Sequence, residues 1–272
     1  MNSVIFIDYD NTIFSHKTWS IPKSALAALE GLKDTGYKVV VATGRPFTGT
    51  TLPAEFEGRF VPDCLVSSNG AYIEAEGHIL WKKYFDPQLQ KQVMDYAVSK
   101  NYCLMCGMNG HWYVSNKERF LEMATPNQRK FAPEDGEAFR TMYDQKLASL
   151  FLADTEEAIL DMEKRFPDVK LLRMGKELGG ADIIPVENGK VIGASRILDY
   201  YHTDFAHTAA IGDSMNDVEL IEAAGFGVAM GNAMKDVRER ADYVAPAITE
   251  DGLQDAIAHA LGFLSLQWPP SI

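Results

Sequence analysis

The sequence predicts an α/β protein: a doubly wound, mostly parallel, Rossmann-like sheet with an inserted α/β domain. Three observations carry this. Short, continuously apolar runs such as Val4-Ile5-Phe6-Ile7, Val39-Val40-Val41-Ala42 and Ala209-Ala210-Ile211 read as strands buried on both faces. Segments of helical periodicity lie between them, which makes β-α-β units. In the middle of the chain the pattern changes to hairpins and isolated strands, then returns to β-α-β.

Taken in order, the first strand is Val4 to Ile7. A polar loop follows, then a helix from about Pro22 to Asp34 with Ala25, Leu29 and Leu32 on one face and Gly36 as its stop. Val39 to Ala42 and Cys64 to Val66 are the second and third strands. Gly70 to Trp81 reads as a hairpin that turns near Glu76-Gly77. A helix over Pro87 to Lys100 buries Leu89, Val93, Tyr96 and Ala97. Strands are expected at Tyr102 to Met105, Trp112 to Val114, Leu147 to Leu152 and Val169 to Met174. Thr155 is the N-cap of a helix to Phe166, with Glu156 and Glu157 in its first turn. Residues 81–185 are therefore expected to form the insert, and 1–80 with 186–272 the core. The chain closes with a helix from Val191 to Tyr201, the strand Ala209 to Ile211, a helix to Ala224 and a strand from Val228 to Met230. Pro269-Pro270 reads as a frayed end.

Composition narrows the function. Among 272 residues, 26 Lys and Arg stand against 38 Asp and Glu, a formal charge of -12. That balance argues against a nucleic-acid partner, whose phosphates are held by Lys and Arg, but leaves room for one small phosphorylated ligand. The apolar run at Val4 is stopped at once by Asp8, too short for a signal peptide or a membrane span. Three cysteines, Cys64, Cys103 and Cys106, fit a reducing cytoplasm. Oligomeric state has no signature in the sequence.

Four clusters fall where expected strands end or helices begin, the edge at which open parallel sheets bind ligands. Asp8-Tyr9-Asp10-Asn11-Thr12 follows the first strand. Residues two apart on a strand share a face, so Asp8 and Asp10 are expected to look into one site. Two close carboxylates repel, and a magnesium ion resolves the conflict. One aspartate can then attack as nucleophile while the other serves as general acid and base. Taken alone, the pair reads more often as loop-capping aspartates. Thr43-Gly44-Arg45 offers a hydroxyl and a bare amide to a phosphate, or is a simple turn. Lys190, just before a helix, sits where the helix end is already positive, so an anion beside it would repair the mismatch. A solvated lysine is the commoner alternative. Gly212-Asp213-Ser214-Met215-Asn216-Asp217 places two more carboxylates at a strand end, with helix capping as the bland reading.

In this order and spacing the four resemble the haloacid dehalogenase (HAD) superfamily, in particular the Cof-type branch with a class IIB α/β cap inserted between the second and third motifs. Ala224 to Ala233, Ala241-Asp242-Tyr243-Val244 and Glu250-Asp251-Gly252 resemble the same branch. The resemblance implies a phosphatase with a HAD core. Asp8 would be the nucleophile and Asp10 the acid and base. Mg2+ would be held by the Asp8 side chain, the Asp10 backbone carbonyl and Asp213, with Asp217 in support. Thr43, Gly44, Lys190 and Asn216 would bind the phosphate; Arg45 and Asn69 are candidate substrate contacts. The insert would cap the site, exclude water and select a small phosphorylated metabolite, with a sugar phosphate expected first and pyridoxal phosphate or flavin mononucleotide next. Asn11 stands where the family usually has Gly; Asn tolerates left-handed backbone angles. Asp10 weighs against the dehalogenase branch, and the lack of a membrane span against the ion pumps. A phosphotransferase such as a mutase, or a non-catalytic phosphometabolite-binding regulator, would use the same scaffold.

Other signals read as structural. Cys103-Leu104-Met105-Cys106 lies on an expected strand and has too few neighbouring ligands for zinc. His16 reads as a solvated loop histidine. Trp112, Tyr113 and Tyr143 read as core. Gly225-Phe226-Gly227 lacks the third glycine of a dinucleotide fingerprint.

Overall fold

The structure, a computed structural model, describes residues 3–108, 111–124, 126, 129, 132–174 and 179–267. Pro269-Pro270 lies outside them. The chain divides into two compact units, Met1–Lys82 with Gly189–Ile272, and Lys83–Asn188.

The first unit opens with β1 (Val4–Ile7), α1 (Lys23–Gly31), β2 (Lys38–Ala42), β3 (Cys64–Ser67), β4 (Tyr72–Ala75) and β5 (His78–Lys82). The helix expected to reach Asp34 tightens into a 3-10 turn over Leu32–Asp34, and Gly36 takes a φ of 78° just beyond. Glu76 and Gly77 both have positive φ, 50° and 80°. That is the turn geometry whose twist matches two antiparallel strands.

The second unit contains α2 (Pro87–Ser99), β6 (Leu104–Met108), β7 (His111–Val114), α3 (Lys117–Met123), α4 (Glu137–Arg140), β8 (Leu150–Leu152), α5 (Glu156–Arg165), β9 (Val169–Arg173) and β10 (Ala181–Pro185). Its sheet runs β7-β6-β8-β10-β9, all antiparallel. Asp86 caps α2 through the N–H groups of Gln88 and Leu89, and Thr155 caps α5 through that of Ala158. Gln90 is buried, and its amide bonds to the carbonyls of Met142 and Gln145 and to the N–H of Leu147.

The first unit resumes with α6 (Lys190–Tyr201), β11 (Thr208–Gly212), α7 (Val218–Ala223), β12 (Phe226–Ala229), α8 (Lys235–Arg238), β13 (Tyr243–Val244) and α9 (Gly252–Gln267). Its sheet order is β13-β12-β11-β1-β2-β3-β4-β5, parallel from β13 to β3. Successive side chains of β1 point to opposite faces. Ile5 and Ile7 pack with α1 and α9; Val4 and Phe6 pack with α6, α7 and α8. Helices thus cover both faces, as a doubly wound sheet requires. From β1 the chain moves outward one way to β2 and β3, and later the other way through β11 to β13. The end of β1 is therefore the topological switch point.

Candidate active site

Three of the four sequence clusters meet beyond the ends of β1 and β11 and at the start of α6. Asp8 extends β1 by one rung, donating its N–H to the carbonyl of Ile211 at 2.9 Å. Its carboxylate is buried, with Oδ1 accepting from Lys190 Nζ at 2.5 Å. Lys190 is the first residue of α6, not the residue before it, and its side chain is fully buried. The same ammonium donates to Asp217 Oδ1 at 2.6 Å. Asp217 Oδ2 accepts the N–H groups of Asp213 and Ser214, at 3.1 and 3.0 Å, and so clamps the turn that carries both aspartates. Gly212 is required here: a Cβ would come within 2.4 Å of the Asp217 carboxyl carbon. The helix expected to run to Ala224 begins only after this turn, at Val218.

Ligand oxygens of Asp8, Asp213 and Asp217 lie within 4.8 Å of one another, all buried. Asp8 Oδ2 is buried without a hydrogen-bond partner. Burial, then the charges of Asp217 and Asp10, push the Asp8 carboxyl up to about 8 although Lys190 opposes them. Asp213 is raised well above the ordinary carboxylate range by burial first, then by Asp8 and Asp217. Burial alone would lower the Lys190 ammonium, but Asp217 and Asp8 more than reverse that. One ammonium, bonded to Asp8 and Asp217, stands against three crowded carboxylates, so the cluster carries an excess of negative charge. That donor set suits a hard divalent cation.

Asp10 stands beside this group, its charge acting on Asp8 and Asp213. β1 ends at Ile7, so the strand alternation that would align Asp8 with Asp10 does not extend through the loop. The Asp10 carboxylate lies outside the three-aspartate group. It is gripped by Arg45, through Nε at 3.1 Å to Oδ1 and 3.0 Å to Oδ2 and through Nη2 at 2.6 Å to Oδ1. Burial would raise this carboxyl; Arg45, with His16, instead holds it well below the ordinary range. The guanidinium of Arg45 also lies over the rings of Tyr9 and Phe14.

Thr43 and Asn69 tie these loops together. Thr43 is buried, its Oγ1 accepting the N–H of Arg45 at 3.0 Å, with Gly44 in the same bend. Asn69, at φ 51°, donates its N–H to the Thr43 carbonyl and accepts from Asn216 Nδ2 at 2.9 Å. The adjoining Gly70 leaves no room for a Cβ, which would lie 2.3 Å from the Gly189 carbonyl oxygen at the start of α6. Asn11 does adopt the left-handed conformation, at φ 56°.

One reading is overturned. His16 is not a solvated loop histidine: it is 4% exposed, and Nε2 lies 2.7 Å from Asp10 Oδ1. The clue was local. Phe14 and Trp19 flank it in sequence, and both rings pack edge-on against the imidazole. The cysteines are structural, as expected. Cys103 and Cys106 are free, lie in separate hydrophobic clusters, and burial pushes both thiols up to about 12. Trp112, Tyr113 and Tyr143 are partly buried against the cores of the second unit.

Among the described residues no helix is long and apolar enough to cross a membrane. Residues 5–257 match the family model of haloacid dehalogenase-like hydrolases. YkrA of Bacillus subtilis (strain 168) is 28% identical over 272 residues, 97% of this chain and 99% of that protein. YitU of the same strain, a 5-amino-6-(5-phospho-D-ribitylamino)uracil phosphatase, is 25% identical over 92% of this chain and 94% of its own. The solved structure of the HAD subclass IIB sugar phosphatase BT4131 superposes with a TM-score of 0.82 at 25% identity, covering 96% of this chain and all of that one. With the motif residues gathered at the switch point of the parallel sheet, the chain belongs to the haloacid dehalogenase-like hydrolases, a family of enzymes.

Proposed function

We propose that this protein is a cytoplasmic, Mg2+-dependent phosphatase that hydrolyses a small phosphorylated metabolite through an aspartyl-phosphate on Asp8. The observation that carries the reading is the buried Asp8 carboxylate, with Oδ1 tied to Lys190 and Oδ2 free of any partner. Tying one oxygen orients the carboxylate; the other keeps its lone pairs for attack.

The three-carboxylate cluster, with its single ammonium, fits a divalent cation. Asp8 and Asp213 would hold Mg2+ by their side chains and Asp10 by its backbone carbonyl, with Asp217 in support. Bound there, the ion would neutralise charge on the phosphoryl oxygens. Asp8 Oδ2 attacks phosphorus as the bond to the leaving oxygen breaks, and Asp10, which Arg45 and His16 hold ionised in the free site, takes up a proton as the ester binds and gives it to that oxygen. Asp10 then takes a proton from the water that attacks the aspartyl-phosphate, which releases inorganic phosphate and restores Asp8. Lys190 holds the nucleophile and, with Thr43, Gly44 and Asn216, donates to phosphate oxygens. The second unit would select the substrate. A phosphorylated sugar or sugar-derived compound is favoured, because one relative named above is a sugar phosphatase and another acts on a phosphoribityl compound.

The test is phosphate release from a panel of phosphorylated metabolites with Mg2+, alongside Asp8→Asn. Release from one chemical group of substrates, lost by several orders of magnitude in the variant, is expected. Binding of the esters without turnover would contradict it and favour a regulator.

A further inference from the structure

We infer that His16, anchored by Asn11, is a positioning residue that selects which oxygen of Asp10 exchanges protons with substrate. The inference rests on the phosphatase reading above and adds a residue to it. Asp10 Oδ1 receives Arg45 Nη2 at 2.6 Å and His16 Nε2 at 2.7 Å, besides the longer contact from Arg45 Nε. An oxygen with two lone pairs is thereby filled. Oδ2 has Arg45 Nε alone, at 3.0 Å. Arg45 grips the carboxylate from one side only; His16 supplies the second direction that stops it turning.

The imidazole is built for one bond. Its side chain is 2% exposed, Nδ1 is buried without a partner, and Phe14 and Trp19 pack against the ring with centroids 5.5 and 5.3 Å away. With Nδ1 idle, the tautomer that satisfies the site carries its hydrogen on Nε2 and donates to Asp10. The backbone beneath it is pinned too. Asn11 Oδ1 accepts the N–H of His16 at 3.1 Å, while the Asn11 carbonyl accepts from Asn232 Nδ2 at 2.9 Å. A bridge between Ser15 and Ser20 closes the loop that carries the histidine. Glycine at position 11 would keep the left-handed turn and lose the anchor. Asparagine there thus has a task beyond tolerating φ 56°.

The readout is leaving-group dependence. Phenyl phosphate expels a poor leaving group and needs a proton from Asp10; p-nitrophenyl phosphate expels a good one and needs little help. His16→Phe keeps the aromatic packing and removes the donor. It should lower kcat/KM for phenyl phosphate about tenfold or more beyond any loss on p-nitrophenyl phosphate, because misplacing an acid by a fraction of an ångström is costly. His16→Gln, which can return an N–H to the Nε2 position, should recover most of the ratio. Asn11→Gly should shift it in the same direction by a smaller factor. An equal loss on both substrates, not rescued by Gln, would assign His16 to packing alone and overturn the inference. If His16→Phe fails to fold, Asn11→Gly decides: an unchanged ratio overturns it. Failure of the phosphatase reading is distinguishable, since wild-type protein would then release no phosphate from either compound, or Asp8→Asn would release it equally.

Discussion

Replacing Lys190 by methionine removes one buried ammonium and leaves the volume nearly unchanged. Its Nζ is the bridge between Asp8 and Asp217, at 2.5 and 2.6 Å, and its side chain is fully buried. Removing one partner from such a group costs about 3–5 kcal/mol, because the other charges stay buried and unpaired. For a protein of this size each kcal/mol shifts Tm by roughly 2–4 °C, so a fall on the order of 10 °C is expected without metal. Protonation caps the loss. Asp8 already sits at about 8, against an unfolded value of 3.8. A carboxyl raised by folding gives stability below its unfolded value and loses it as pH rises through the folded one. Without Lys190 the Asp8 carboxyl would be raised further, so the penalty of Lys190→Met should be smallest while Asp8 is protonated in both proteins and grow as pH rises through 8 and beyond. Mg2+ should offset part of it by supplying positive charge to the same carboxylates. Thermal unfolding followed by circular dichroism, with EDTA and with Mg2+ at several pH values, measures all of this. A variant that melts with the wild type at pH 9 in EDTA would refute the claim that Lys190 holds the cluster together.

Two further outcomes follow from the second unit and the thiols. Asp154 has a fully buried side chain held by Arg119 Nη2 at 2.7 Å and by the N–H groups of Cys103 and Thr155. Arg119→Met should cost about 1–3 kcal/mol in urea unfolding at neutral pH, since the two N–H bonds persist. Burial would raise the Asp154 carboxyl, but these donors lower it. Its contribution is thus present above the ordinary carboxylate value and lost as pH falls through the depressed one, so the gap between variant and wild type should close in acid; a gap independent of pH would contradict this. Burial also pushes Cys64, Cys103 and Cys106 up to about 12. Native protein should therefore react with a thiol reagent only as it unfolds, and rapid labelling of Cys103 or Cys106 in native protein would reopen a redox role.

Much of the architecture was legible because it is local. A run such as Val4 to Ile7 has one comfortable setting, a strand covered on both faces. Thr155 with two glutamates announces a helix start, and Glu76-Gly77 a hairpin turn. The motif aspartates and Lys190 were legible as a set, because each stands at a junction that a parallel sheet brings to one edge. What was hidden is tertiary. The burial of His16 depends on Phe14 and Trp19 closing over it. The grip of Arg45 on Asp10 spans 35 positions of sequence. β10, with Asp182 and Pro185, and α3, two turns long and highly charged, lack the periodicity that would reveal them; their neighbours hold them in place. Asn11 was read correctly for its backbone and incompletely for its side chain, whose bond to the His16 N–H depends on the loop's path.

The covalent role proposed for Asp8 is tested most directly by trapping the intermediate. Wild-type protein turning over p-nitrophenyl phosphate with Mg2+ would be quenched in acid within a few milliseconds, reduced with borohydride and digested for mass spectrometry. The account predicts that the peptide bearing Asp8 carries homoserine at that position, the reduction product of an aspartyl-phosphate, and that Asp8→Asn yields none. Turnover that continues while Asp8 is recovered unmodified, or with the reduced residue at another position, would contradict it.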